Sequence, residues 1–584
     1  MPGQFPSKGV TGHPGGTSGK AVLLDFALLA AASVAVTACY ALYLARVGEL
    51  LHSDMATEIL TGREMYRQGT VFLSDFYHST EIFLFRSSLF VALWLLATDS
   101  LLDAYRLSIA TDIAFQILCF LYMMRRLGSP PGARALGLLA FFGSRPYSSA
   151  FANGLAGASY GTMCATPFLM IGYYAASRRG TRGRADAAAG VAIPPLAFLF
   201  GLSSQRFLAA AFLPLLVAHV WERLKEPSPR DWTGDRVLRE LLLWTALCAA
   251  GWVITSRVVI PRGFGPTQYQ TLVTNGIVIL ATESLPQLLR EFLRHTPLEW
   301  VSGVFAGLSL RGATGISCLL FFIACAWGAS RRPGAGSVGR FPESLPPREA
   351  SLGTVYLFFL VSIGAAALSM SLFLNPFFVR LRYLVFLPAL VAIAAALAYG
   401  GLTRDRPFLG RAFLAFSCGF FLANSLVNAL ELPAHAAANP SRVAARHAGE
   451  IEDSLARHGI RRAYALMWHS AVETVLTDGR IEVWGVTGAM KPFAYLGHYS
   501  AWAAERADEP TAFLKIEQPE PPDLAPFGHF TVTDRSLFDG AAEREIIPDA
   551  EYDIEILFFD RNPFVFPPGH DPAAEYRPPS LAGG

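Results

Sequence analysis

The sequence predicts an α-helical polytopic membrane protein with a C-terminal extramembrane α/β domain. Three observations predict it. Only 16% of the residues are charged and 52% are hydrophobic, whereas a soluble domain carries about 25% charged residues. The apolar residues fall in long runs of the length a bilayer requires. From about residue 431 the composition turns polar, with strand-like segments and Pro-rich stretches.

Taken in order, residues 1–20 are rich in Gly, Pro and Ser and read as a disordered cytoplasmic tail. Run 21–45 is too long for a signal-peptide core and reads as a retained helix. Further runs cover 82–97, 104–124, 134–152, 158–177, 187–202, 205–221, 238–259, 300–328, 351–374, 383–400 and 411–430. Run 82–97 is short for a span. Laying it along the outer interface also puts every basic cluster on one side, among them Arg125/Arg126/Arg134, Arg178/Arg179/Arg182/Arg184 and Arg404/Arg406/Arg411. The positive-inside rule thus gives about eleven transmembrane helices over 21–430, with the N-terminus inside and the C-terminus outside. A net charge of +2 gives no electrostatic case for nucleic acid. The seven cysteines all lie in apolar segments, which argues against a disulfide framework or a thiolate metal site.

The first external loop, 46–103, concentrates acids: Asp54, Glu58, Glu64, Asp75 and Glu81. Within it Asp54–Gln68 reads as a helix along the membrane surface, with Ser53 as its cap and Gly69 as its stop. Asp54 sits at the positive end of that helix dipole, and Glu58, four residues on, shares its face. Glu81–Leu96 reads as a second, deeper helix. A long outer loop, 260–299, is of the kind that forms lids. Residues 431–584 read as a small α/β domain, with strands over Ile460–Trp468, Arg480–Val486 and Tyr552–Phe559 and a short helix over Ala471–Leu476.

The order Ser53-Asp-Met-Ala-Thr-Glu58, Gly69, Asp75-Phe-Tyr-His-Ser-Thr-Glu81, Arg106-Leu107 and the late Arg380-Leu-Arg-Tyr383 resembles polytopic glycosyltransferases of the GT-C fold. These take sugars from polyprenyl-phosphate donors, as the bacterial mannosyl- and aminoarabinose-type transferases do. The segment Gly459–Trp468 followed by Arg480-Ile-Glu-Val483 is similar to external domains of some bacterial members. The resemblance covers the first 130 residues well and the middle by topology. It implies a GT-C-like membrane domain in the bacterial cytoplasmic (inner) membrane and transfer of a sugar with inversion on the periplasmic face. Its partners would be a lipid-linked sugar, membrane lipid and an acceptor glycan, lipid or protein. No acid follows Asp54 directly, and the span count is lower than in the aminoarabinose transferases, so neither donor sugar nor acceptor carries over.

Such transfer requires a base for the acceptor hydroxyl, positive groups for the departing phosphate and partial closure to water. Asp54 fits the base by residue type and place, although it would equally serve as a helix-end acid. Glu58 and Asp75 fit acceptor positioning or a divalent cation, and also read as solvated loop acids; His78 and Glu81 are weaker candidates, at a membrane edge where such side chains also read as interface residues. Arg380 and Arg382 are external arginines that topology does not explain, and they fit phosphate or anionic lipid. Arg206 and Arg145 are further phosphate candidates. In the external domain Trp468, His469 and Glu473 read as acceptor contacts or as core and surface. A transporter or flippase, and a non-catalytic scaffold with an external domain, are the alternatives.

Overall fold

The computed structural model describes residues 19–73, 76, 84, 87–143, 161–178, 182–203, 207–225, 232, 234–259, 386–437, 439, 441–492, 507–516, 532 and 535–565. Its first helices are α1 (Gly19–Ala45), α2 (Ser53–Gln68), α3 (Ser87–Trp94), α4 (Leu101–Arg126) and α5 (Pro131–Gly143). Then come α6 (Gly161–Arg178), α7 (Arg184–Ser203), α8 (Leu213–Lys225) and α9 (Arg236–Ile254), the last extended by a π-helical turn, Thr255–Val259. After the gap follow α10 (Phe386–Asp405) and α11 (Pro407–Ala437). Among the described residues five helices are long and apolar enough to cross a bilayer: those holding Leu23–Ala45, Leu101–Arg126, Arg184–Ser203, Arg236–Val259 and Pro407–Ala434. Helix α3 has eight residues, a rise of about 12 Å, less than half a hydrocarbon core.

The bundle has two chemically different ends. At one, ion pairs join arginines to acids of neighbouring helices: Arg411 to Asp25 (3.7 Å), Arg126 to Asp186 (2.7 Å), Arg182 to Glu240 (2.9 Å) and Arg223 to Asp235 (2.9 Å). At the other lie the last turns of α1 and α11, helix α2 and the start of α4. There Arg106 Nε donates to the Leu44 carbonyl at 3.1 Å, and Asn439 Nδ2 and the Ser441 hydroxyl donate to the Leu51 carbonyl.

The α/β domain stands at this second end. It comprises α12 (Ser441–Arg457), β1 (Arg462–Leu466), α13 (Met467–Leu476), β2 (Glu482–Val486), β3 (Thr511–Ile516), β4 (Glu543–Ile547) and β5 (Ile554–Phe559). The sheet order is β2-β1-β3-β5-β4. β2, β1 and β3 are parallel, and β5 and β4 are antiparallel to their neighbours. The predicted strands at β1, β2 and β5 and the short helix between β1 and β2 are all present; β3, β4 and α12 were not predicted. Alternation along each strand loads both faces. Val443, Ile451 and Leu455 of α12 cover one, while Tyr464, Phe513 and Leu557 pack with Phe538 and Phe564 on the other. Helix α11 runs on to Ala437, past the boundary at 431 read from composition.

Helix α2 begins one residue earlier than predicted. The extended His52 is its N-cap, and Ser53 lies inside the first turn, so it does not cap. Gly69 ends it in the left-handed conformation, φ 64°, as predicted. Helix α2 is packed by protein on more than one side. Its apolar side, including Met55 and Ile59, shares one core with Val91 of α3 and with Ala471, Val472 and Val475 of α13. The α/β domain therefore covers α2 from outside, and each fully buried Met or Ile there contributes ~1.5–3 kcal/mol.

The α2–α3 crossing is close. A Cβ on Gly62 would stand 2.5 Å from the Ser88 carbonyl oxygen and 2.7 Å from Val91 Cβ. Gly62→Val is expected to lower stability by about 1–3 kcal/mol, read as a fall in Tm of the full-length protein. Gly62→Ser, which adds a Cβ too, should move in the same direction.

The α/β domain also caps a bundle helix. Asp478, just after α13, accepts hydrogen bonds from the Leu101 amide (2.9 Å) and the Ser100 hydroxyl (3.3 Å) at the start of α4. Asp478→Ala is expected to cost about 1 kcal/mol and to speed hydrogen exchange at the first turn of α4, with the sheet amides unchanged.

Candidate functional site at the α2 end of the bundle

The first turn of α2 presents Asp54 to solvent, while its neighbours Ser53, Met55 and Ala56 are buried. The side chain is thus exposed at the end of a helix whose other residues fix its place. A negative charge in the first turn of a helix lies at the positive end of its dipole. Glu58, one turn on, is 5% exposed. Sequence periodicity paired the two acids on one face, but the packing of α3 and α13 against α2 leaves one in water and the other in the core. Farther along, Gln68 Nε2 donates to Glu64 Oε1 at 3.3 Å, and Arg67 pairs with Glu482 of β2 at 3.7 Å.

Asp75, His78, Glu81, Arg145, Arg206, Arg380 and Arg382 lie outside the described residues, as does the outer loop 260–299. Some of their flanks are described. Leu84, just after Glu81, packs with Leu202 of α7, just before Arg206, together with Phe72 and Val259. Gly143, just before Arg145, has its carbonyl held by Asn424 Nδ2 at 2.8 Å. Among the described residues no group of three or more His, Cys, Asp or Glu side chains is placed to hold a metal ion.

Two polar side chains of α13 are buried, and an arginine of α2 reaches the turn that follows α13. Glu473 is 1% exposed, and neither carboxylate oxygen has a hydrogen-bond partner. Burial alone pushes its carboxyl up to about 8. His469, one turn earlier and 3% exposed, has no partner at Nε2, and burial pushes it down to about 4. On α2, Arg63 has Nε and Nη1 buried without acceptors. Burial and then the neighbouring Arg67 lower its pKa, against Glu482 and Glu64. Gly479 makes room for Arg63: a Cβ there would stand 2.5 Å from Nη1. The sequence singled out His469 and Glu473 only as weak acceptor contacts and missed Arg63. The signal was a His and a Glu four apart inside the apolar helix Met467–Leu476.

No protein-family model matches this chain, and no curated protein matches it.

Proposed function

We propose that the chain is a membrane glycosyltransferase that moves a sugar from a polyprenyl-phosphate donor to an acceptor on the non-cytosolic face, with inversion. The observation that carries this reading is the setting of Asp54: an exposed carboxylate in the first turn of a helix that buries ten of its 16 residues, at the bundle end opposite the arginine ion pairs. The positive-inside rule assigns the arginine end to the cytosol. In this reading the GT-C-like membrane domain has about eleven spans. Two of them, 300–328 and 351–374, fall outside the described residues.

Asp54 removes the proton from the acceptor hydroxyl as its oxygen attacks the anomeric carbon. The bond from that carbon to the phosphate oxygen breaks, and polyprenyl phosphate leaves on Arg380 and Arg382, with Arg206 and Arg145 in support. Asp75, His78 and Glu81 orient the acceptor or a divalent cation. The α/β domain covers α2 and excludes water from that side.

The test is a transfer assay with the purified protein, a polyprenyl-phosphate sugar and a panel of lipid and glycan acceptors, together with labelling of an Asp54→Cys variant in sealed vesicles. Sugar on an acceptor, and labelling from the non-cytosolic side, are expected. Labelling from the cytosolic side ends the proposal. A transporter or flippase is the second reading, favoured by one observation: the polar pair Asp112 and Gln116 is buried midway along α4. Uptake into proteoliposomes without sugar transfer would select it.

A further inference from the structure

Helix α4 carries a polar stripe on its buried face. Ser108, Asp112 and Gln116 recur at every fourth position and are 0%, 2% and 0% exposed, so they line one side of the helix over two turns. Apolar neighbours Ile109, Cys119 and Phe120 surround them on the same face. Ser108 spends its hydroxyl on the Tyr105 carbonyl at 2.8 Å. Gln116 Nε2 donates to Asp112 Oδ2 at 3.0 Å. That leaves two acceptors, Asp112 Oδ1 and Gln116 Oε1, both buried and both without a donor.

Two orphaned acceptors four residues apart in an apolar interior call for a donor between them. The described residues supply no basic side chain to Asp112; the titratable group in its electrostatic reach is the Cys119 thiol, farther along the same helix. A resident metal cation would need several more oxygens, and the carbonyls around the pair are engaged in the α4 ladder. One proton suffices. Placed on Oδ1, it turns that oxygen into a donor for Gln116 Oε1, while the amide N–H already on Oδ2 closes the other half of an acid–amide pair.

We propose that Asp112 and Gln116 form a proton-binding site in the interior of the helix bundle, with the proton on Asp112 Oδ1. Loading takes one proton from water and leaves a neutral pair; unloading returns it and leaves a carboxylate held by a single amide. The site stands whether or not the chain transfers sugar.

Infrared spectroscopy of the full-length protein in lipid tests it. Glu473 supplies a second protonated carboxyl, so the background is Glu473→Gln. In that background a carboxylic-acid carbonyl band is expected at neutral pH, shifting down in D2O, absent after Asp112→Asn and moved to higher frequency by Gln116→Leu, which removes the hydrogen bond. If Asp112→Asn does not fold, Asp112→Glu should keep the band at a changed frequency. A band unchanged by each of these substitutions, or no such band, overturns the proposal. So does a band seen only after sodium is removed, which would make the occupant a metal ion.

Discussion

On the proposed reading, Asp54→Asn is expected to lower the rate of sugar transfer by about 10² or more and to leave the fold in place. The amide keeps the size of the side chain and a hydrogen-bonding group at the start of α2, so the helix retains its first turn. Asp54 is exposed, and the exchange buries and uncovers nothing; stability should change by no more than about 0.5 kcal/mol. The loss falls in kcat, because the amide cannot take the acceptor proton, while KM for the lipid donor stays near its wild-type value. Full turnover in the variant would remove Asp54 from the base role. Glu58→Gln is the contrast: that side chain is buried, so its substitution should show first as a lower Tm.

The second large effect is a dependence of stability on pH. The Glu473 carboxyl stands at about 8 in the folded protein against an ordinary 4.5. Its protonated form is therefore the one that suits the buried setting. The stability it contributes is complete below pH 4.5 and is lost as pH rises through about 8, a loss on the order of 3–5 kcal/mol. His469 works in the opposite sense. With its folded value near 4 against 6.5, its contribution is complete above pH 6.5 and is lost as pH falls through about 4. The alkaline loss is the larger, because the Glu473 shift is the larger. Glu473→Gln is expected to flatten the fall in Tm across the neutral-to-alkaline range, and His469→Phe to flatten the acid side. A wild-type Tm profile that Glu473→Gln leaves unchanged would show the carboxyl to be hydrated rather than buried.

Local patterns were legible in the sequence and long-range ones were not. Gly69 ended α2 where expected, because a left-handed stop depends on one residue. The alternation around β1, β2 and β5 was readable because those strands are apolar. β4 was missed because it is an edge strand that begins with charged residues: Glu543 and Glu545 meet polar groups at the end of α12, and Arg544 donates to the Phe538 carbonyl. The amphipathic α12 was missed beside the long apolar runs. Most consequentially, the cover that α13 gives to α2 comes from some four hundred residues away in the chain; no local pattern records that contact. Asp112 was passed over because a single carboxylate hardly alters the apolar character of α4. Of the candidate site, the place of Asp54 on a helix start was readable, while the split between an exposed Asp54 and a buried Glu58 required the packing.

The hydrogen bonds from Leu101 and Ser100 to Asp478 join residues separated by 377 and 378 positions. During synthesis, then, the ribosome must release nearly the whole polypeptide before the first turn of α4 acquires its acceptor or α2 its outer cover. A nascent chain halted at the end of α11 would hold every bundle helix yet leave that side of α2 bare. Assembly of that end thus waits for the last segment, and truncation there exposes apolar surface to quality-control proteases.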